Sequence, residues 1–142
     1  TIGALSNLKK KLKGNFFLTN SDSIIDIDIN DFIEFHETGK NDFTIAAAIK
    51  KYQVPYGSCD IDKKGNLKSI IEKPRYDLLV NTGFYLVNSK ILKFIKKNKK
   101  MDVDEFINVL LQKKRKIKIY PISEMNWQDV GQWDEYNKLS LK

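Results

Sequence analysis

At 142 residues the chain is sized for one domain, and 42% hydrophobic with 11% aromatic residues gives it a core of its own. A single cysteine and a single histidine exclude an internal disulfide framework and a Cys/His zinc site, and no run approaches the roughly 18 apolar residues that span a bilayer. The net charge of +7 comes largely from lysine runs at 9–11, 96–100 and 113–116. These runs carry almost no interleaved aromatic residues and fall at predicted helix ends or connections. They read as solvated surface, with no specific nucleic-acid partner.

In chain order, Ile2, Leu5, Leu8 and Leu12 share helical spacing, and Gly14 stops that element. The start lacks the charged and apolar regions of a signal peptide, so the expectation is a cytoplasmic protein without membrane contact. Phe16, Phe17, Leu18 and Thr19 form a short apolar run suited to a strand buried on both faces. That strand ends in the polar loop Asn20-Ser21-Asp22-Ser23, where Asp22 is either a turn former or a ligand group at a strand end. Asn30 or Asp31 can cap a helix that turns Phe32, Phe35 and His36 to one face and ends at Gly39; His36 is read as a packed residue. Residues 44–49 form a second buried strand.

Residues 56–61 form a strand holding Cys59 as a buried structural thiol, and residues 62–66 turn into a strand at 67–71. Gly57 is either a bulge or a place of close ligand approach. Pro74 lacks an N–H and biases Lys73 towards extended backbone, so Glu72 and Lys73 project from a strand end. They are either solvated or a carboxylate and an ammonium suited to a sugar phosphate. Asn81-Thr82-Gly83 opens the strand 84–87, and Asn88 or Ser89 caps a helix carrying Ile91, Leu92 and Ile95. Val103, Phe106, Ile107, Leu110 and Leu111 make the clearest amphipathic stripe, which is core. Residues 116–122 alternate as a strand with Ile117, Ile119 and Pro121 on one side, and residues 132–141 form a closing helix burying Trp133, Tyr136 and Leu139. Buried strands mixed with helices and one hairpin predict an α/β fold.

Four segments stand in a telling order: Phe17-Leu18-Thr19-Asn20-Ser21-Asp22, Tyr56-Gly57, Glu72-Lys73-Pro74 with Asn81-Thr82-Gly83, and Trp127-Gln128-Asp129-Val130-Gly131. Together they resemble the sugar-1-phosphate nucleotidyltransferase family, of the mannose-1-phosphate guanylyltransferase-like type. Ser21 stands where the family carries glycine. The resemblance implies a Rossmann-like, GT-A-type fold with a mixed, mostly parallel sheet flanked by helices. It implies transfer of a nucleotidyl group from a nucleoside triphosphate to a sugar 1-phosphate, releasing pyrophosphate.

By residue-to-residue match, Asp22 and Asp129 would bind Mg²⁺, a hard cation suited to two carboxylates with phosphate oxygens and water. Asp22, Lys73 and Asp129 would be the catalytic set. Glu72 would accept hydrogen bonds from sugar hydroxyls, Lys73 would hold the sugar phosphate, Tyr56 and Gly57 would meet the sugar, and Asn81 with Thr82 would line its pocket. The family's Gly-rich N-terminal loop has no counterpart in residues 1–142, so the expectation is one domain, the C-terminal part of a longer catalytic domain and inactive alone. Phe16 to Thr19 would then be covered by a second copy, by the N-terminal segment or by an upstream polypeptide. The alternative is a non-catalytic sugar-phosphate-binding or regulatory module of the same fold.

Overall fold

The computed structural model describes residues 2–96 and 99–131; the expected closing helix with Trp133, Tyr136 and Leu139 lies outside them. A four-stranded sheet forms the centre, in the order β1 (Asn15–Thr19), β6 (Arg75–Asn88), β3 (Phe43–Gln53), β7 (Ile117–Ser123). β6 is antiparallel to both β1 and β3, while β3 and β7 are parallel, so three of the four strands run one way. Helix α1 (Ile29–Thr38) covers one face, packing Phe32 with Ala46, Leu86, Phe84 and Tyr120. Helix α2 (Val103–Gln112) and the 3₁₀ turns Ile2–Leu8 and Ser89–Phe94 cover the other, where Phe43, Tyr85, Val87, Ile91, Phe106 and Leu110 make the larger core. This is an α/β sandwich with a mixed sheet, as the sequence pattern implied.

Local chemistry sets the helix ends. Asp28 caps α1, accepting from the backbone N–H of Asn30 (2.8 Å) and Asp31 (3.2 Å), in place of the expected Asn30 or Asp31. Gly39 keeps a right-handed φ of −68°, and Lys40 at φ 47° makes the left-handed turn instead. Where helices were expected around Ile2–Leu12 and Ile91–Ile95, the structure has 3₁₀ turns, Ile2–Leu8 and Ser89–Phe94. Ile2, Ile91, Leu92 and Ile95 are still buried, so the spacing found the packing face but not the helix type. His36 is buried, as read.

Three burial expectations are corrected. β1 is an edge strand with β6 as its strand neighbour among the described residues, so it alternates: Phe16 and Leu18 pack into the larger core while Phe17 is 41% exposed. Phe17 nonetheless stacks on Phe84 at 5.4 Å and Phe32 at 6.4 Å. Cys59 is exposed, because β4 (Ser58–Ile61) and β5 (Leu67–Ile71) form a separate two-stranded sheet that no layer covers among the described residues. In β7 the buried side chain is Ile122, with Tyr120 meeting Phe32 and Phe35 of α1; Ile119 and Pro121 are exposed.

The expected strands at 44–49 and 84–87 are the first half of β3 and the last part of β6, both of which run longer. β3 pairs with β7 only as far as Ile49–Ser123 and then continues with β6 alone, Lys50–Gln53 against Arg75–Leu78. This ribbon leads to the β4–β5 hairpin and is mostly exposed. Among the described residues no helix is long and apolar enough to cross a membrane.

Candidate functional site

The site is built on a break in one ladder. The β3–β6 register jumps from Ala46–Phe84 to Ala47–Asn81, which loops Thr82 and Gly83 out of β6. Gly83 takes φ +78°, a conformation glycine adopts without a Cβ penalty, and its N–H donates to the Asn81 side-chain oxygen at 3.1 Å. The Thr82 hydroxyl donates to the Ala46 carbonyl at 2.7 Å and accepts from Phe84 N–H at 3.3 Å, so it is buried and fully engaged. The bulge thereby exposes two carbonyls to the loop after β1. Asn20 N–H donates to Gly83 O at 2.9 Å, and the Ser23 hydroxyl donates to Thr82 O at 2.6 Å.

That loop delivers Asp22. Beyond it, β2 (Ser23–Ile25) pairs antiparallel with β8 (Trp127–Asp129), Ser23 opposite Asp129, and Val130 N–H donates to Asp22 O at 2.9 Å. Two strand ends more than a hundred positions apart in sequence are thus zipped together. Gly131 marks their meeting point: a Cβ there would lie 2.7 Å from Asp22 Oδ2 and 3.2 Å from Asp129 Oδ1, which bounds the two oxygens to no more than about 6 Å apart. The Gly131 N–H holds Asp129 Oδ1 at 3.0 Å. Any larger residue at 131 would fill the space between the carboxylates.

These groups border a polar cavity of about 360 Å³, lined by Asn20, Asp22, Ser23, Asn81, Thr82, Gly83 and Asp129 together with Lys50, Tyr52, Val80 and Trp127. Asn81 is fixed from both ends: its amide N–H donates to the Tyr85 hydroxyl at 2.9 Å while its oxygen takes the Gly83 N–H. Tyr85 is buried, and that burial raises its pKa above the ordinary phenol value, so it stays a neutral partner.

Of the residues expected at the site, the structure brings Asp22, Asp129, Asn81 and Thr82 together at this cavity. Tyr56, Gly57, Glu72 and Lys73 gather elsewhere, at the base of the β4–β5 hairpin, where a Cβ on Gly57 would lie 3.1 Å from Glu72 Oε2. Tyr56 is 74% exposed, and Lys73 is exposed with φ 46°, not the extended backbone expected before Pro74. Pro74 O accepts from Val54 N–H at 3.0 Å, which turns the chain into β6. Six strand positions, roughly 20 Å, separate Arg75 from Asn81.

The sequence profile described as Nucleotidyl transferase matches residues 1–142. The chain belongs to the nucleotidyl transferase family. It is 26% identical over 137 residues to the mannose-1-phosphate guanylyltransferase catalytic subunit beta of Drosophila pseudoobscura pseudoobscura, covering 93% of this chain and 36% of that protein. It is 30% identical over 98 residues to glucose-1-phosphate cytidylyltransferase of Salmonella typhimurium, covering 67% and 37%. The crystal structure of HddC from Yersinia pseudotuberculosis superposes with a TM-score of 0.67 at 26% identity, over all of this chain and 62% of that one. The chain therefore spans well under half the length of these two curated relatives.

Within this nucleotidyl transferase chain, the sequence reading missed Lys50, Tyr52, Asn20 and Ser23. Lys50 was legible in hindsight: it follows the alternation Thr44, Ala46, Ala48 on one face of β3 and sets an ammonium where that face had been apolar or neutral. Trp127 stood in a quoted motif without a role; Lys50 Nζ sits 5.0 Å from its ring centroid.

Proposed function

We propose that this chain carries the acceptor and metal side of a sugar-1-phosphate nucleotidyltransferase, which joins a nucleoside triphosphate to a sugar 1-phosphate and releases pyrophosphate. The observation that supports it is the convergence of Asp22 and Asp129 over Gly131 beside a polar cavity. Among the described residues no group of three His, Cys, Asp or Glu gathers, so Asp22 and Asp129 are what those residues offer a cation. That donor set fits Mg²⁺, which keeps water and substrate phosphate in its remaining positions, and the bare Gly131 leaves the space between the oxygens open. When bound, the ion neutralises phosphate charge as the new bond forms.

The chain's own groups do the rest. Asn81, locked between Tyr85 and Gly83, presents a fixed amide edge to a sugar. Thr82 spends its hydroxyl on Ala46, so it shapes the cavity wall and does not bond a sugar through that group. The same reading assigns Tyr56, Gly57, Glu72 and Lys73 to the acceptor sugar, from the base of the β4–β5 hairpin at the far end of the β3–β6 ladder. It gives the triphosphate no cradle among the described residues, and assigns the edge of β1, open among them, to contact with a further segment or with a second copy.

The test is pyrophosphate release by the full-length protein with magnesium chloride, each nucleoside triphosphate in turn, and mannose 1-phosphate or glucose 1-phosphate. Asp22→Asn and Asp129→Asn should each lower turnover by two orders of magnitude or more. Full activity in both variants would remove the carboxylate pair from the mechanism.

A further inference from the structure

We infer that Lys50 is the cation that receives the phosphate of a sugar 1-phosphate in this cavity, an assignment that rests on the proposed function above. The alternation of β3 carries Lys50 and Tyr52 to the cavity wall on the same face as Ala46 and Ala48, beneath the loop that holds Asp22. Lys50 is half-buried, whereas Lys73 is exposed on the hairpin. Among the described residues it is the sole cation lining the cavity, whose other charged members are Asp22 and Asp129. It forms no ion pair with either: the ion pairs among the described residues are Lys68–Asp60 and Arg115–Asp42.

What holds Lys50 is the face of Trp127, two residues before Asp129 on β8. A cation–π contact fixes an ammonium without spending its N–H donors on a carboxylate. The arrangement answers an electrostatic problem. A phosphate entering beside two aspartates meets repulsion, and an ammonium in a half-dry wall offsets it with charge-assisted hydrogen bonds. The Trp127 indole N–H is itself buried and has no acceptor among the described residues, so the ring meets Lys50 through its face.

Calorimetric titration of the full-length protein in magnesium chloride tests this, with mannose 1-phosphate, glucose 1-phosphate, inorganic phosphate and unphosphorylated mannose as probes. Lys50→Met keeps the aliphatic stem on Trp127 and removes the charge. It should weaken both sugar phosphates and inorganic phosphate by about 10- to 100-fold, leave mannose binding as it was, and keep the wild-type unfolding midpoint. Lys50→Arg should restore most of the affinity. Wild-type affinity in Lys50→Met overturns the inference, and a loss confined to Lys73→Ala would then place the phosphate at the hairpin with the proposed function intact. Equal weakening of mannose and sugar phosphates would reduce Lys50 to a structural prop. No binding of either sugar phosphate by the folded wild-type protein would defeat the proposed function and the inference together.

Discussion

Gly83→Ala probes the bulge on which the site depends, and its cost can be worked from two separate contributions. At φ +78° an L-residue meets its own carbonyl, a strain of roughly 1–2 kcal/mol. The new Cβ would also stand 2.5 Å from Asn20 Nδ2, 2.7 Å from its Cγ and 3.1 Å from its Cβ. Rotating the Asn20 side chain relieves the first two contacts but not the third, because the Asn20 backbone is tied to Gly83 O by its own N–H. Overpacking of that kind costs roughly 1–3 kcal/mol. Gly83→Ala should therefore destabilise the chain by about 2–5 kcal/mol, a drop of about 1–2.5 M in urea midpoint for a slope near 2 kcal/mol/M. In an Asn20→Gly background only the backbone strain survives, so the same substitution should cost about 1–2 kcal/mol, and the cycle should show coupling. Urea unfolding followed by indole emission reads all four proteins. A Gly83→Ala cost below about 0.5 kcal/mol, or one identical in both backgrounds, would refute the geometry of the bulge and its contact with Asn20.

Three further outcomes follow from the same structure. Thr82→Val removes the donor to Ala46 O and should cost about 1–3 kcal/mol by urea unfolding; a neutral result would show that the hydroxyl does not pin the bulge. Burial lowers the pKa of His36 below its ordinary 6.5, against the opposing charges of Glu37 and Asp42, and its Nε2 is buried without a partner among the described residues while Nδ1 faces the Thr44 hydroxyl at 2.7 Å. The unfolded chain then binds the proton first, so stability should fall as pH drops through 6.5 towards the folded value, and His36→Gln should flatten that part of the profile; parallel wild-type and variant curves would contradict the reading. The edge of β1, open among the described residues and with Phe17 41% exposed, should make the isolated 16.5 kDa chain associate in sedimentation, and a clean monomer at micromolar concentrations would show that the edge needs no second copy.

Why some of the site could be read from the sequence and some could not is a matter of range. Asp22 follows a short apolar segment in a polar loop, a local signature open to either a turn former or a ligand group, whereas Asp129 and its partnership with Asp22 came from the family resemblance that the quoted segments carry. The bond from Ser23 to Thr82 O and the step in the β3–β6 register are encoded by no spacing, because they join residues far apart and depend on which carbonyls a bulge turns outward. The length of β6 was hidden for the opposite reason. Arg75 to Asn81 carries Asp77 and follows a proline, so propensity argued for a connection, yet the partner strand Ala47–Gln53 supplies a ladder that overrides it.

Burial failed at Cys59 because a strand-like run says that one face can be covered, not that anything covers it. Lys50 failed in the converse way. A lysine near the end of a strand reads as the point where the strand meets solvent, and here it does leave the sheet interior, for β3 parts from β7 one residue earlier at Ile49. What the one-dimensional pattern cannot register is that β8, arriving from residues 127–129, closes over that same strand end and turns a solvent-facing ammonium into a wall of the cavity between Asp22 and Asp129. Its charge becomes meaningful only through that late pairing, since an ammonium on a free strand end is worth little and one set beside two carboxylates decides which anions can enter.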